Sequence, residues 1–168
     1  ATAEEGHSAE GEEEHHVTPP VQRSVTWFET GNTTIKAGTL LDGLSQPFGM
    51  ALLGDTFYVG NTDGVVAFPY TPGATKITAP ARRLTTFQPG GHWTRSLLAS
   101  PDGRRLYIGV GSLSNIGDLG MDAEAGRACI YELDVVTNHC RRYASGPRNP
   151  VGLAWEPVTG RLWTVVNE

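Results

Sequence analysis

Apolar residues recur along this chain in paired short runs, each pair closed by a tight polar turn. Gly49-Met50-Ala51-Leu52-Leu53 passes through Gly54-Asp55 into Thr56-Phe57-Tyr58-Val59-Gly60. Ser96-Leu97-Leu98-Ala99-Ser100 passes through Pro101-Asp102-Gly103 into Leu106-Tyr107-Ile108-Gly109-Val110. Gly152-Leu153-Ala154-Trp155 passes through Pro157-Val158-Thr159-Gly160 into Leu162-Trp163-Thr164-Val165-Val166. Short runs that end in aromatic and β-branched residues, and are interrupted by Gly, Pro and Asp, predict antiparallel hairpins.

The pieces between the hairpins predict further strands. Gly64-Val65-Val66-Ala67-Phe68-Pro69-Tyr70 and Arg82-Arg83-Leu84-Thr85-Thr86-Phe87 complete a first unit of four. Ala128-Cys129-Ile130-Tyr131-Glu132-Leu133 and Cys140-Arg141-Arg142-Tyr143-Ala144, joined by a turn at Asp134 to Asn138, complete a second. The third unit stops after two strands. Tyr58 and Tyr107 lie 49 residues apart, and Tyr107 and Trp163 lie 56 apart. Such periods, with several strands per unit, characterise propeller blades, because each blade is a small sheet that buries its faces only against its neighbours. The expected fold is therefore all-β: a β-propeller of which this chain covers about two and a half to three blades. Closed propellers have typically four to eight. The expectation is a partial ring whose remainder lies on a second chain, or which assembles with a partner.

Composition adds an N-terminal segment of different character. Residues 1–16 carry six glutamates and no Lys or Arg, so the net charge of -5 belongs to this end and the body is nearly neutral. Residues 1–20 hold too little apolar surface to offset the entropy of ordering and read as a flexible acidic tail, leaving residues 21–168 as one domain. His7, His15 and His16 lie in that tail with no scaffold to fix them as metal ligands. No basic stripe marks a nucleic-acid surface, and no apolar run approaches the roughly 20 residues of a membrane span. The chain starts on small residues without Met, as after removal of a secretory leader, which fits a periplasmic or secreted protein. Cys129 and Cys140 fall on the two arms of one hairpin; whether they pair depends on cross-strand geometry that spacing does not fix.

Two stretches stand outside the repeat. Gly90-Gly91-His92-Trp93-Thr94-Arg95 leads into the inner strand of the second unit, where His92 would point toward the propeller axis. An imidazole titrating near neutrality suits proton abstraction from a hydroxyl; position alone equally suits a histidine that only hydrogen-bonds a neighbouring loop. Gly146-Pro147-Arg148-Asn149-Pro150 leads into the third unit. Arg148 offers a planar fork of donors for a carboxylate or quinone oxygen, and Asn149 a donor and an acceptor; the same tripeptide also suits a plain surface turn.

Taken in order, His92-Trp93-Thr94-Arg95, Gly109-Val110-Gly111-Ser112, Gly120-Met121-Asp122-Ala123-Glu124-Ala125-Gly126-Arg127-Ala128 and Arg148-Asn149-Pro150-Val151-Gly152-Leu153-Ala154-Trp155 resemble the PQQ-dependent glucose/sorbosone dehydrogenase family. Gln46-Pro47-Phe48-Gly49-Met50-Ala51 resembles its sorbosone branch. The resemblance implies a six-bladed propeller holding pyrroloquinoline quinone (PQQ) and Ca²⁺ near its axis. It implies His92 as general base, Arg148 and Asn149 as cofactor contacts, and a metal region beginning about Glu168. It further implies an aldose or sugar-derived aldehyde as substrate, with an external electron acceptor. In the glucose-oxidising branch an acidic residue follows the glycine matching Gly111; here Ser112 stands there, so the imidazole is expected to lack that carboxylate. Two rival readings are an inactive propeller that serves as an interaction module, and a calcium-dependent lactonase-type hydrolase, since fold alone does not dictate activity.

Overall fold

The computed structural model describes residues 22–31 and 34–167. The acidic tail, its histidines and Glu168 lie outside the described residues. Twelve strands form four antiparallel sheets, and no helix occurs among the described residues. Strands β1 (Val25–Thr30) and β2 (Ile35–Leu41) make a hairpin. Strands β3 (Gly49–Leu53), β4 (Thr56–Asn61), β5 (Gly64–Pro69) and β6 (Arg82–Thr86) make the first complete sheet, in sequential order. Strands β7 (Leu97–Ala99), β8 (Arg105–Val110), β9 (Cys129–Asp134) and β10 (Cys140–Ser145) make the second, and β11 (Pro150–Trp155) with β12 (Leu162–Val166) a final pair. These sheets are the predicted units. The β1–β2 hairpin is an addition to them.

Alternation along the strands decides how the sheets stack, because successive side chains leave opposite faces. On β4 and β5, Tyr58, Val65 and Ala67 join a core with Leu106, Ile108 and Val110 of β8. Their neighbours Val59, Val66 and Phe68 face the other way, onto Val25, Leu40 and Leu41 of the hairpin. The first complete sheet is thus buried on both faces. Each fully buried aliphatic side chain contributes about 1.5–3 kcal/mol, which makes this sheet the most firmly held part of the molecule. On β8, Tyr107 turns away from that core and meets Tyr143 and Trp155 edge-on, with ring centroids 5.0 and 5.1 Å away. Trp155 also donates its indole N–H to Ala99 O at 2.7 Å, tying the last pair to the sheet before it.

The first strands of successive sheets, β3, β7 and β11, are neighbours, as the inner strands of propeller blades are. Close approach at this inner edge requires glycine. A Cβ on Gly60 would stand 2.4 Å from Arg95 O, and one on Gly109 2.3 Å from Pro150 O. Both glycines thus receive a backbone carbonyl from the start of the next sheet. Ser96 adds a hydroxyl bond to Val151 O at 2.6 Å. The two cysteines are free thiols, since Cys129 lies opposite Ser145 and Cys140 opposite Leu133, at different ends of the β9–β10 hairpin.

Candidate functional site

Because consecutive strands run antiparallel, the β6–β7, β8–β9 and β10–β11 connections emerge at one end of the stack. They carry His92, the Gly111–Ala128 stretch and Arg148–Asn149 respectively. Ser112 joins the three: its carbonyl accepts the His92 N–H at 3.1 Å and its own N–H donates to Arg148 O at 2.7 Å. Between them Gly111 leaves no room for a side chain, since a Cβ there would lie 2.5 Å from both His92 Cβ and Asn149 Oδ1. His92 and Asn149 therefore flank one glycine, and Arg148 is anchored next to it.

An open cavity of about 620 Å³ lies at this end, lined by Gly91 and His92 from one connection and by Leu113 to Ile116 and Asp118 from another. His92 Nε2 is buried and has no hydrogen-bond partner, and neither has the buried Asn149 Oδ1. Burial lowers the His92 pKa below the usual 6.5, the Arg148 and Arg127 guanidinium charges lower it further, and Glu124 opposes them. The imidazole is thus held neutral at a pH where a free histidine is partly charged. No carboxylate hydrogen-bonds it among the described residues; Ser112 Oγ donates instead to Ser114 O at 2.7 Å.

Arg148 spends three donors on neutral groups. Its Nε and Nη2 donate to Asn115 O and Oδ1 at 2.9 and 2.8 Å, and its Nη1 to Asn167 O at 2.6 Å. Two of the five guanidinium N–H groups remain, and the charge has no salt-bridge partner among the described residues. Glu124 shapes the cavity wall, accepting the Leu113 and Ser114 amides at 2.8 and 3.0 Å. Burial works against its ionised form, but those amides and Arg127 outweigh it and hold the carboxyl below its usual range.

His92, Arg148 and Asn149 are the residues that the motifs single out, and the fold brings them together. Asn115, Glu124 and Arg127 carry no expected role, because each acts on a loop distant in sequence. Only their position inside one long connection between β8 and β9 hints at a shared task. A family model described as TrAA12-like matches residues 21–168. The chain belongs to the TrAA12-like family.

This TrAA12-like chain is similar to two solved structures of the Trichoderma reesei carbohydrate-active enzyme of family AA12, an iodide and a calcium structure. Each has TM-score 0.67 and 23% identity over 86% of this chain. It is also similar to the holo form of the pyranose dehydrogenase PQQ domain from Coprinopsis cinerea, with TM-score 0.61 and 18% identity over 86% of this chain. At such identities the likeness is one of fold. This chain spans 40% of the AA12 chains and 44% of the Coprinopsis one. Among curated proteins none matches it. The motif series resembles the glucose/sorbosone family, whereas the family shown is TrAA12-like.

Proposed function

We propose that this TrAA12-like chain carries the proton-accepting side of a sugar-oxidising quinoprotein site. In this reading His92 takes the proton of a substrate hydroxyl, and Arg148 and Asn149 hold PQQ. The observation that carries it is the pair of buried, unpartnered atoms, His92 Nε2 and Asn149 Oδ1, on either side of Gly111. Leaving such atoms unpaired costs about 1–3 kcal/mol each, which a ligand with matching polar groups removes. The Arg148 charge, without a salt bridge among the described residues and with two N–H groups left over, suits an anionic cofactor rim.

PQQ, when bound, supplies the acceptor for the hydride and its electrons. The chain's own part is acid–base and positional. An imidazole kept neutral accepts a proton without first losing one, and Arg148 and Asn149 fix the distance over which it acts. Similarity to a pyranose dehydrogenase PQQ domain favours an aldose or a sugar-derived aldehyde as substrate, with an external acceptor for the electrons. Calcium belongs to the same reading as a Lewis acid that would polarise the quinone, and the metal region, expected to begin about Glu168, lies outside the described residues.

Dye reduction with PQQ, Ca²⁺ and aldoses tests the reading. His92→Gln should lower kcat by roughly 10²–10⁴-fold, the worth of a positioned general base, while PQQ affinity stays close to wild type. Undiminished turnover in that variant contradicts it.

A further inference from the structure

Two arginines that the proposed chemistry does not use lie beneath the His92 loop. Arg95 is 0% exposed and Arg127 6%, and neither meets a carboxylate in a salt bridge among the described residues. Burying two like charges without a direct ion pair is costly, so their hydrogen bonds are the informative feature. All go to backbone carbonyls. Arg127 donates from Nη1 to Gln88 O at 2.7 Å, and from Nη2 to Gly90 O at 2.6 Å and Ser112 O at 3.1 Å. Arg95 donates from Nη1 to His92 O at 2.8 Å and Thr94 O at 2.9 Å, and from Nη2 to Gln88 O at 3.1 Å.

These carbonyls bracket His92 along its loop, with Gln88 and Gly90 before it and Thr94 after it. Ser112 O, held by Arg127, is the same atom that accepts the His92 amide. Arg127 thereby links the loop before the imidazole to the strand end beside it. The loop lies close against this clamp: Gly91 sits at φ +58° and a Cβ there would stand 2.2 Å from Leu113 O. Leu113 is in turn held by Glu124. We propose that Arg127 is a positioning residue for His92: its guanidinium locks the carbonyls of Gln88, Gly90 and Ser112 into one seat for the imidazole, with Arg95 completing the seat from His92 to Thr94. The role as positioning residue rests on the reading of His92 as the base; the seat itself does not.

The charges around the imidazole follow from the same arrangement. Arg148 faces it from the β10–β11 connection, Arg127 and the opposing Glu124 from the β8–β9 connection, and Asp118 lines the same cavity. Burial, then Arg127, draws the Arg95 guanidinium down to about 10, still charged near neutral pH. Lysine at 127 keeps a charge but, as a point donor, cannot span three carbonyls. Glutamine keeps neither.

The test is NMR on the chain without quinone, comparing wild type, Arg127→Lys and Arg127→Gln. Amide exchange at His92 should speed up by about 10-fold or more in both variants, while Val59 and Val65 in the core keep their wild-type protection. The His92 imidazole titration should move upward in Arg127→Gln and less in Arg127→Lys. Unchanged His92 exchange and titration in Arg127→Gln overturn the proposal. So does loss of protection at Val59 and Val65 in both variants, which would make Arg127 a general folding residue. Because no substrate is present, a failed seat is distinguishable from a failed base: turnover surviving His92→Gln removes the base alone.

Discussion

A half-buried histidine whose Nε2 is covered and unpartnered, and which has guanidinium charges nearby, behaves unlike one in water. Its folded pKa lies below its unfolded one, so in mild acid the unfolded chain binds more protons than the folded chain. Stability contributed by neutral His92 is complete above pH 6.5 and is lost as pH falls from there toward the folded pKa. Arg148→Gln removes the second-largest cause of the shift, and NMR titration should then find the imidazole midpoint higher than in wild type. At Gly111 the constraint is steric. Gly111→Ala drives a methyl group into His92 and Asn149, and overpacking of this kind costs about 1–3 kcal/mol in urea unfolding. His92, Arg148 and Asn149 were legible because each sits in a short, unusual run of residues. Glu124, Asn115 and Arg127 were not, because their partners lie 11, 33 and up to 39 positions away and only the folded loops bring them together.

Strands are easiest to read where both faces of a sheet are buried, as in β4, β5 and β8, because they then form continuous apolar runs closed by turns. The β1–β2 hairpin escaped the pattern for the converse reason. It packs mainly through Val25, Leu40 and Leu41, leaving Phe28 and Ile35 exposed, so its apolar positions show no clean alternation. A second regularity has a meaning that spacing does not reveal: Tyr58-Val59-Gly60 and Tyr107-Ile108-Gly109 place glycine at matching positions. The structure supplies the reason, a carbonyl from the next sheet pressed against each. Gly109→Ala should therefore cost on the order of 1–3 kcal/mol in urea unfolding, although alanine is acceptable in an ordinary strand. A cost no larger than that of a surface substitution would contradict this packing. The third unit has Val165 at the matching position, 68% exposed.

Stability across the whole molecule should be graded. The first complete sheet is covered on both sides, whereas the β11–β12 pair leaves Trp163 63% exposed on its open face. Native-state hydrogen exchange should show β4, β5 and β8 opening only with global unfolding and β12 at lower free energy; uniform protection would contradict the layering. The all-β blade pattern was readable from repeat spacing alone. The meeting of the His92 and Arg148 connections was readable too, from their matching places before successive inner strands; the part of the β8–β9 connection, which joins them through Ser112, was not, because it depends on how the sheets stack. That convergence is the central claim, and NMR mapping of PQQ added to the labelled chain tests it most directly. The account predicts resonance shifts at His92, Gly111 and Asn149 and at the Arg148 side chain, weakened in Arg148→Gln. Shifts confined to the open face of β11–β12, with those four residues unmoved, would contradict it.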